Sequence, residues 1–269
     1  GGPAGTSAAL FLEKKGYRIA LLDQALFPRD KVCGEFISPA ADDIFSDLGI
    51  LDSIEALKPT RLAGVVLSAY ESSYLHVDYP VAVDGRTMTS LSVERSILDD
   101  LMINRVRSSN VKLLEGFKVT DLLFEGENVC GVKGHDEAKT KFSIKARVVI
   151  DAGGRNSISL RRLNLRRDSS GRGKIALAAH WEGVKELGRY CYMHISHPGY
   201  TGIAPVGNNR ANVVLVVDRN YLAGADVEQF FKKTVLGNRL RERILGAGAP
   251  VEKIRAIDSL AYSVKKPKC

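Results

Sequence analysis

The chain has 269 residues, 45% of them hydrophobic, and 39 basic against 31 acidic residues give a formal charge of +8. That length can bury one large core or two smaller ones, and no apolar run approaches the roughly 20 residues a membrane helix requires. Cys33, Cys130, Cys191 and Cys269 are scattered without a C-x-x-C, which suits a reducing cytosol better than a disulfide framework.

The chain opens on Gly1-Gly2-Pro3-Ala4-Gly5. Gly2 and Gly5 match the second and third glycines of the dinucleotide-binding pattern G-x-G-x-x-G, with the first glycine and its strand expected before residue 1. Residues 3–15 read as a helix that starts at Pro3 and stops at Gly16. Arg18 to Asp23 is a short apolar strand of the buried, parallel kind. A charged loop, Gln24 to Glu35, precedes a helix over 39–48, with Ser38 as its cap and Asp42 and Asp43 near its positive end. Strand-like runs occupy 61–90, and Ile97, Leu98, Leu101, Met102 and Val106 give Ser92 to Ser108 a helical spacing. Strands are expected over 111–124, 128–134 and 141–151, then a helix over Ser157 to Leu163. From Lys174 the pattern is mostly β, at 174–182, 189–196, 200–206 and 210–217, before helices near 226–236 and 238–246. Isolated hairpins are rarely stable, so the β-rich stretches at 61–90 and beyond 170 are expected to share one layer.

Chemistry is suggested first by the opening turn. Gly2 permits close approach of a phosphate, Gly5 permits helix and strand to pack tightly, and the helix start offers free N–H groups to a pyrophosphate. Asp23, at a strand end, is placed to accept hydrogen bonds from a ribose hydroxyl. A basic stretch, Arg155, Arg161, Arg162, Arg166, Arg167, Arg172 and Lys174, reads as a solvated helix end and linker before it reads as a surface for anions or acidic membranes. No aromatic platform or recognition motif accompanies it, so nucleic acid is not an expected partner. His194 and His197 read as structural rather than as a metal pair. His180, beside Trp181, faces either a substrate cavity or the core. Asp42-Asp43 and Asp99-Asp100 diverge on their helices and read as solvated faces.

Five blocks in chain order then carry a resemblance. Phe27-Pro28-Arg29-Asp30-Lys31-Val32-Cys33-Gly34-Glu35 resembles the K-V-C-G-E signature of the geranylgeranyl reductase-like flavoproteins, which share the fold of p-hydroxybenzoate hydroxylase and of flavin-dependent halogenases. Val93-Glu94-Arg95 with Leu98 and Leu101 resembles that family's arginine-bearing helix, and Phe117-Lys118-Val119 its adenine-side strand. Asp151-Ala152-Gly153-Gly154-Arg155-Asn156-Ser157 resembles its D-A-x-G-R-x-S turn, and Gly199-Tyr200-Thr201-Gly202-Ile203-Ala204-Pro205 a strand of its substrate domain.

The resemblance implies an α/β fold: a Rossmann-like FAD-binding domain of the p-hydroxybenzoate hydroxylase type with an inserted antiparallel β-sheet substrate domain. The expected FAD-binding domain comprises 1–60 and 91–168, and the substrate domain 61–90 and 169–269. FAD is the implied cofactor, with Gly2, Ala4 and Gly5 by the pyrophosphate and Asp23 on the adenosine ribose. Arg95 would lie toward the phosphates, Val119 at the adenine, and Cys33 and Gly34 near the flavin; a small buried thiol is the alternative reading of Cys33.

Two departures accompany it. Gly153-Gly154 stands where related hydroxylases carry Asp-Gly, which leaves the contacts to NAD(P)H, the candidate electron donor, without that acid. A G-D-A-A-G-like block is also absent from the chain, and the expectation is an internal segment of a longer protein that binds FAD poorly by itself.

The favoured activity is reduction or dehydrogenation of a carbon–carbon bond in a hydrophobic small-molecule substrate. The alternatives are a flavin monooxygenase or halogenase-like enzyme and, from another class, a non-catalytic nucleotide-binding remnant. No residue is assigned as catalytic and no metal is expected. No obligate protein partner is evident, and the expected location is the cytoplasm, with peripheral membrane association an option.

Overall fold

A computed structural model of the chain describes residues 1–70, 73–168, 173–184, 187–258 and 262–265; Arg172 and Cys269 lie outside them. The helix Pro3–Lys14 starts at its proline, as expected, and Gly16, at φ +83°, turns the chain into the strand Ala20–Asp23. That strand pairs in parallel with Lys112–Glu115, Ala20 opposite Lys112 and Asp23 opposite Glu115. The helix Arg95–Arg107 packs beside the first helix. Leu10, Leu98, Met102 and Val106 meet Phe45 and Leu48 of the helix Ala41–Leu48 and Ile54 of the short helix Leu51–Ala56, forming one buried core.

Several expectations shift locally. The helix expected from 39 begins at Ala41, and Ser38 uses its carbonyl, not its hydroxyl, to receive the Ala41 N–H. The strand expected over 111–124 breaks at Gly116, whose φ of +75° turns the chain out of the parallel pair. Beyond it, Lys118–Glu125, Asn128–His135 and Lys141–Lys145 form an antiparallel meander. The strand expected over 141–151 ends at Lys145; residues 146–150 have no ladder partner among the described residues, and Val148 and Ile150 are exposed.

The two β-rich stretches do share one layer. Gly64–Ala69 pairs in parallel with Tyr190–Ser196, and Ser73–Asp78 extends the edge. From Tyr190–Ser196 the sheet continues antiparallel through Gly199–Gly207, Arg210–Asp218 and Lys174–Glu182. One face carries Leu177, Trp181, Ile203, Val213 and Leu215, buried under the helices Val227–Leu236 and Arg239–Leu245 through Phe231, Val235 and Leu245. Asp226 and Asn238 cap those helices by accepting backbone N–H groups. A small sheet, Phe36–Ile37, Ser90–Ser92 and Thr60–Leu62, ties this layer to the glycine-turn half. No helix among the described residues is long and apolar enough to cross a membrane.

Candidate functional site

The start of the first helix is surrounded by guanidinium groups. A Cβ built on Gly2 would lie 3.5 Å from Arg29 Nη2 and 3.8 Å from Arg95 Nη2. Both arginines are held by Asp99, which is fully buried. Arg95 donates Nε and Nη2 to its two oxygens at 2.9 and 2.8 Å, and Arg29 Nη1 lies 3.1 Å from Oδ2. Asp99 is therefore not the solvated helix face that its sequence neighbours suggest. Its position in the helix turns it under Arg95, whereas Asp100 faces Asn104 and Arg107 at the surface. Lys31 has its ammonium pKa lowered by burial and by the neighbouring charges of Arg29 and Arg95. Three cations around one buried carboxylate, beside free helix N–H groups, form a cradle that suits a pyrophosphate.

Gly5 sits where helix and sheet touch. An added Cβ would approach Ala152 Cβ to 3.3 Å and Leu21 Cδ1 to 3.6 Å. Ala152 belongs to the turn Asp151 to Ser157, which Asp151 organises by accepting from Gly153 N at 2.8 Å, Ser157 Oγ at 2.7 Å and Ser159 N at 2.7 Å. Burial would raise the Asp151 pKa, but these hydrogen bonds together hold it below the usual value. Ala4 and this turn line a concavity of about 420 Å³.

Asp23 ends its strand and accepts the Ala25 N–H at 2.9 Å, with Arg29 Nη2 3.9 Å from Oδ2. Beyond it, Gln24, Ala25, Gly116, Lys118 and His135 line a second hollow of about 270 Å³. Val119 follows Lys118 on the strand there, half-buried.

The loop bearing Cys33 and Gly34 is fastened to the large sheet. Asn212 Nδ2 donates to the Cys33 carbonyl at 2.6 Å. Glu35 has a φ of +53°, a conformation that side-chain-bearing residues rarely adopt. It is only 5% exposed, accepts the Arg95 N–H at 3.2 Å through Oε1, and receives Ser92 Oγ on its carbonyl at 3.1 Å. Its Oε2 lies 2.8 Å from His180 Nε2, and Glu252 Oε1 lies 3.0 Å from His180 Nδ1. The Glu35 hydrogen bond raises the His180 pKa against the effect of burial, with Glu35 and Glu252 charges adding to it. Sequence left His180 between cavity and core; alternation places Trp181 in the helix-side core and His180 against the loop. Cys33 is a half-buried free thiol beside Arg95.

His194 and His197 do not come together. His194 is buried on the helix side, 2.5 Å from Ser68 Oγ through Nδ1, and burial with nearby Arg241 lowers its pKa to about 4. His197 is exposed past the strand end, against Tyr221. In the basic stretch, Arg161, Arg162, Arg167 and Lys174 are exposed, Arg162 pairs with Asp121, and Lys174 with Asp218.

The sheet face that bears His180 and Asn212 is buried at that end, beside the Cys33–Glu35 loop, and becomes open and apolar toward the Ser73–Asp78 edge. One row across it runs Ala178, Val214, Gly202, Met193, Leu67, Leu75, each opposite the next in register. Leu75, Val77, Met193, Ile195 and Tyr200 are exposed. Gly202 in that row has no atom within 4 Å of an added Cβ, whereas Gly64 and Gly199 would strike carbonyl oxygens at 2.0 and 1.8 Å. Packing requires glycine at those two positions and not at Gly202, which leaves a notch in the open face.

Residues 1–261 match the FAD_binding_3 model, described as an FAD binding domain. The chain belongs to that family, and FAD is its cofactor. Among curated relatives, it is 23% identical over 297 residues to 1H-pyrrole-2-carbonyl-[peptidyl-carrier protein] chlorinase of Pseudomonas fluorescens, covering 99% of this chain and 65% of the relative. It is 26% identical over 138 residues to mouse (Mus musculus) squalene monooxygenase, covering 51% and 24%. The solved myxobacterial chondrochloren halogenase CndH superposes with a TM-score of 0.87 at 23% identity, covering 98% of this chain and 63% of that one. The architecture is therefore the p-hydroxybenzoate hydroxylase-like fold, as expected. The chain spans about two thirds of the chlorinase's length and a quarter of the monooxygenase's. These relatives favour the halogenase or monooxygenase alternative over the geranylgeranyl reductase-like reading, which they do not single out.

Proposed function

We propose that this member of the FAD-binding family serves an oxygen-activating flavoenzyme, of monooxygenase or halogenase type, acting on a hydrophobic small molecule. The observation that carries it is the chlorinase relative, aligned over 99% of the chain. The apolar sheet face, open toward the Ser73–Asp78 edge, adds the hydrophobic character of the substrate. When bound, FAD would supply the redox chemistry that oxygen activation needs.

The chain's own residues bind and orient. The backbone of Gly2, Ala4 and Gly5, with Arg29 and Arg95, would hold the pyrophosphate, and Asp99 keeps both guanidiniums in place. Asp23 would accept the adenosine ribose hydroxyls, and the strand around Val119 would meet the adenine. Cys33 and Gly34 would border the flavin. The apolar face exposing Met193, Ile195 and Tyr200 would exclude water above it and seat the substrate, its depth set by the Gly202 notch.

The test supplies the protein with FAD, a flavin reductant and chloride or bromide, and offers aromatic and isoprenoid acceptors under controlled oxygen. Expected are oxygen uptake stoichiometric with product and a hydroxylated or halogenated acceptor. Oxygen-independent saturation of an acceptor double bond would return the reductase reading to first place. A protein that binds no FAD would support a non-catalytic role.

A further inference from the structure

We propose that His180 is a positioning residue for the cofactor site: a doubly protonated imidazolium that clamps the Cys33–Glu35 loop onto the large sheet. The inference rests on the reading that this loop borders the flavin. Both ring nitrogens face carboxylate oxygens, Glu35 at 2.8 Å and Glu252 at 3.0 Å. Nε2 makes a hydrogen bond to Glu35, and Nδ1 lies at ion-pair distance from the Glu252 oxygen that also accepts the His180 backbone N–H at 3.2 Å. Two carboxylates set against the two ring nitrogens favour the cationic ring, which alone has two N–H groups. A neutral ring keeps one donor and turns a lone pair toward the other carboxylate. The ring can then donate to Glu35 or to Glu252, but not both, and the attraction between loop and sheet weakens, although Glu252 keeps the His180 backbone N–H and Arg255.

The surrounding charges do not replace the clamp. Glu35 faces His180 from the loop, and Glu252 from the segment after Pro250. Glu94, at the start of the Arg95–Arg107 helix, contributes a third negative field. Arg255 is engaged with Glu252 at 2.6 Å, and Arg210 with Glu94 at 2.9 Å. Neither of these ion pairs involves Glu35. The loop end is held in a left-handed conformation by bonds converging from strand, helix and sheet, and His180 is the cation among them. Losing it relaxes a strained residue adjacent to Gly34.

The sign follows from the raised histidine. Its contribution is fully present below the ordinary value of 6.5 and is lost as pH rises through the higher value of the folded protein. FAD affinity should fall over that same window.

The test measures FAD dissociation constants across pH for wild type, His180→Gln and Glu35→Gln, together with the His180 ring and Gly34 amide NMR signals of the FAD-free protein. Trp181, the single tryptophan, offers a fluorescence probe next to the histidine. Wild-type affinity is expected to fall about tenfold through the His180 titration, the scale of one charge-assisted hydrogen bond. His180→Gln should bind weakly and flatly over that window. Glu35→Gln, whose amide oxygen still accepts from a neutral ring, should move the midpoint to lower pH. A purely structural histidine would leave the midpoint unmoved. The inference is overturned if His180 titrates at or below 6.5, or if the three FAD curves share one pH dependence. Should wild type bind no FAD at any pH while Gly34 follows His180, the cofactor reading fails and with it the proposed link, although the clamp itself remains.

Discussion

Asp99→Ala is expected to lower the unfolding free energy by about 3–5 kcal/mol, the loss that follows when one partner of a buried ion cluster is removed. Asp99 is fully buried, and Arg29 and Arg95 converge on its two oxygens. Without the carboxylate, two guanidiniums stay close together and repel, with Lys31 adding to the positive field. Exposed ion pairs on the same helix, such as Arg107 with Asp100, should matter far less, about 0–1 kcal/mol. Urea unfolding of Asp99→Ala and Asp100→Ala separates the two cases; equal effects would show that the cluster holds nothing together. Asp99→Asn keeps the shape and loses the charge, and should fall between wild type and Asp99→Ala.

Gly5→Leu should abolish detectable FAD binding and destabilise the protein by about 3 kcal/mol, at the upper end of overpacking penalties. The first added carbon already meets Ala152 Cβ at 3.3 Å. The rest of the side chain must push the helix away from the turn that Asp151 organises, and the phosphate cradle opens with it. Gly202→Leu is the control: no atom lies within 4 Å of its added Cβ, so it should fold and bind FAD normally. Thermal unfolding and flavin fluorescence titration read both variants. Retained FAD affinity in Gly5→Leu would remove the close helix–turn contact from the cofactor site.

Much of the fold was legible because the signals were local. Proline and glycine bracketed the first helix, and apolar alternation marked the strands from Lys174 to Asp218. The edges slipped where pairing decided them. Residues 146–150 carry strand-like side chains yet have no ladder partner among the described residues, and Gly116 bends a run that composition reads as continuous. The candidate site was expected in blocks, and the fold brings Gly2 beside Arg29 and Arg95, Gly5 beside Leu21 and Ala152, and Asp23 to the end of the parallel pair. Their anchors were not expected. Asp99 passes for a surface acid until helix packing buries it, and nothing within its own segment announces that.

Sequence by itself determined the class of this protein: a glycine turn feeding a helix, an acid at the next strand end, and ordered motif blocks that point to an FAD fold. These depend on backbone conformation and side-chain period, which a few neighbouring residues set. Only the tertiary structure decided which charges meet. Glu35 and His180 are 145 positions apart and Cys33 and Asn212 are 179 apart, yet each pair is in contact. Whether such groups become a surface or a clamp depends on the desolvation and geometry that packing imposes.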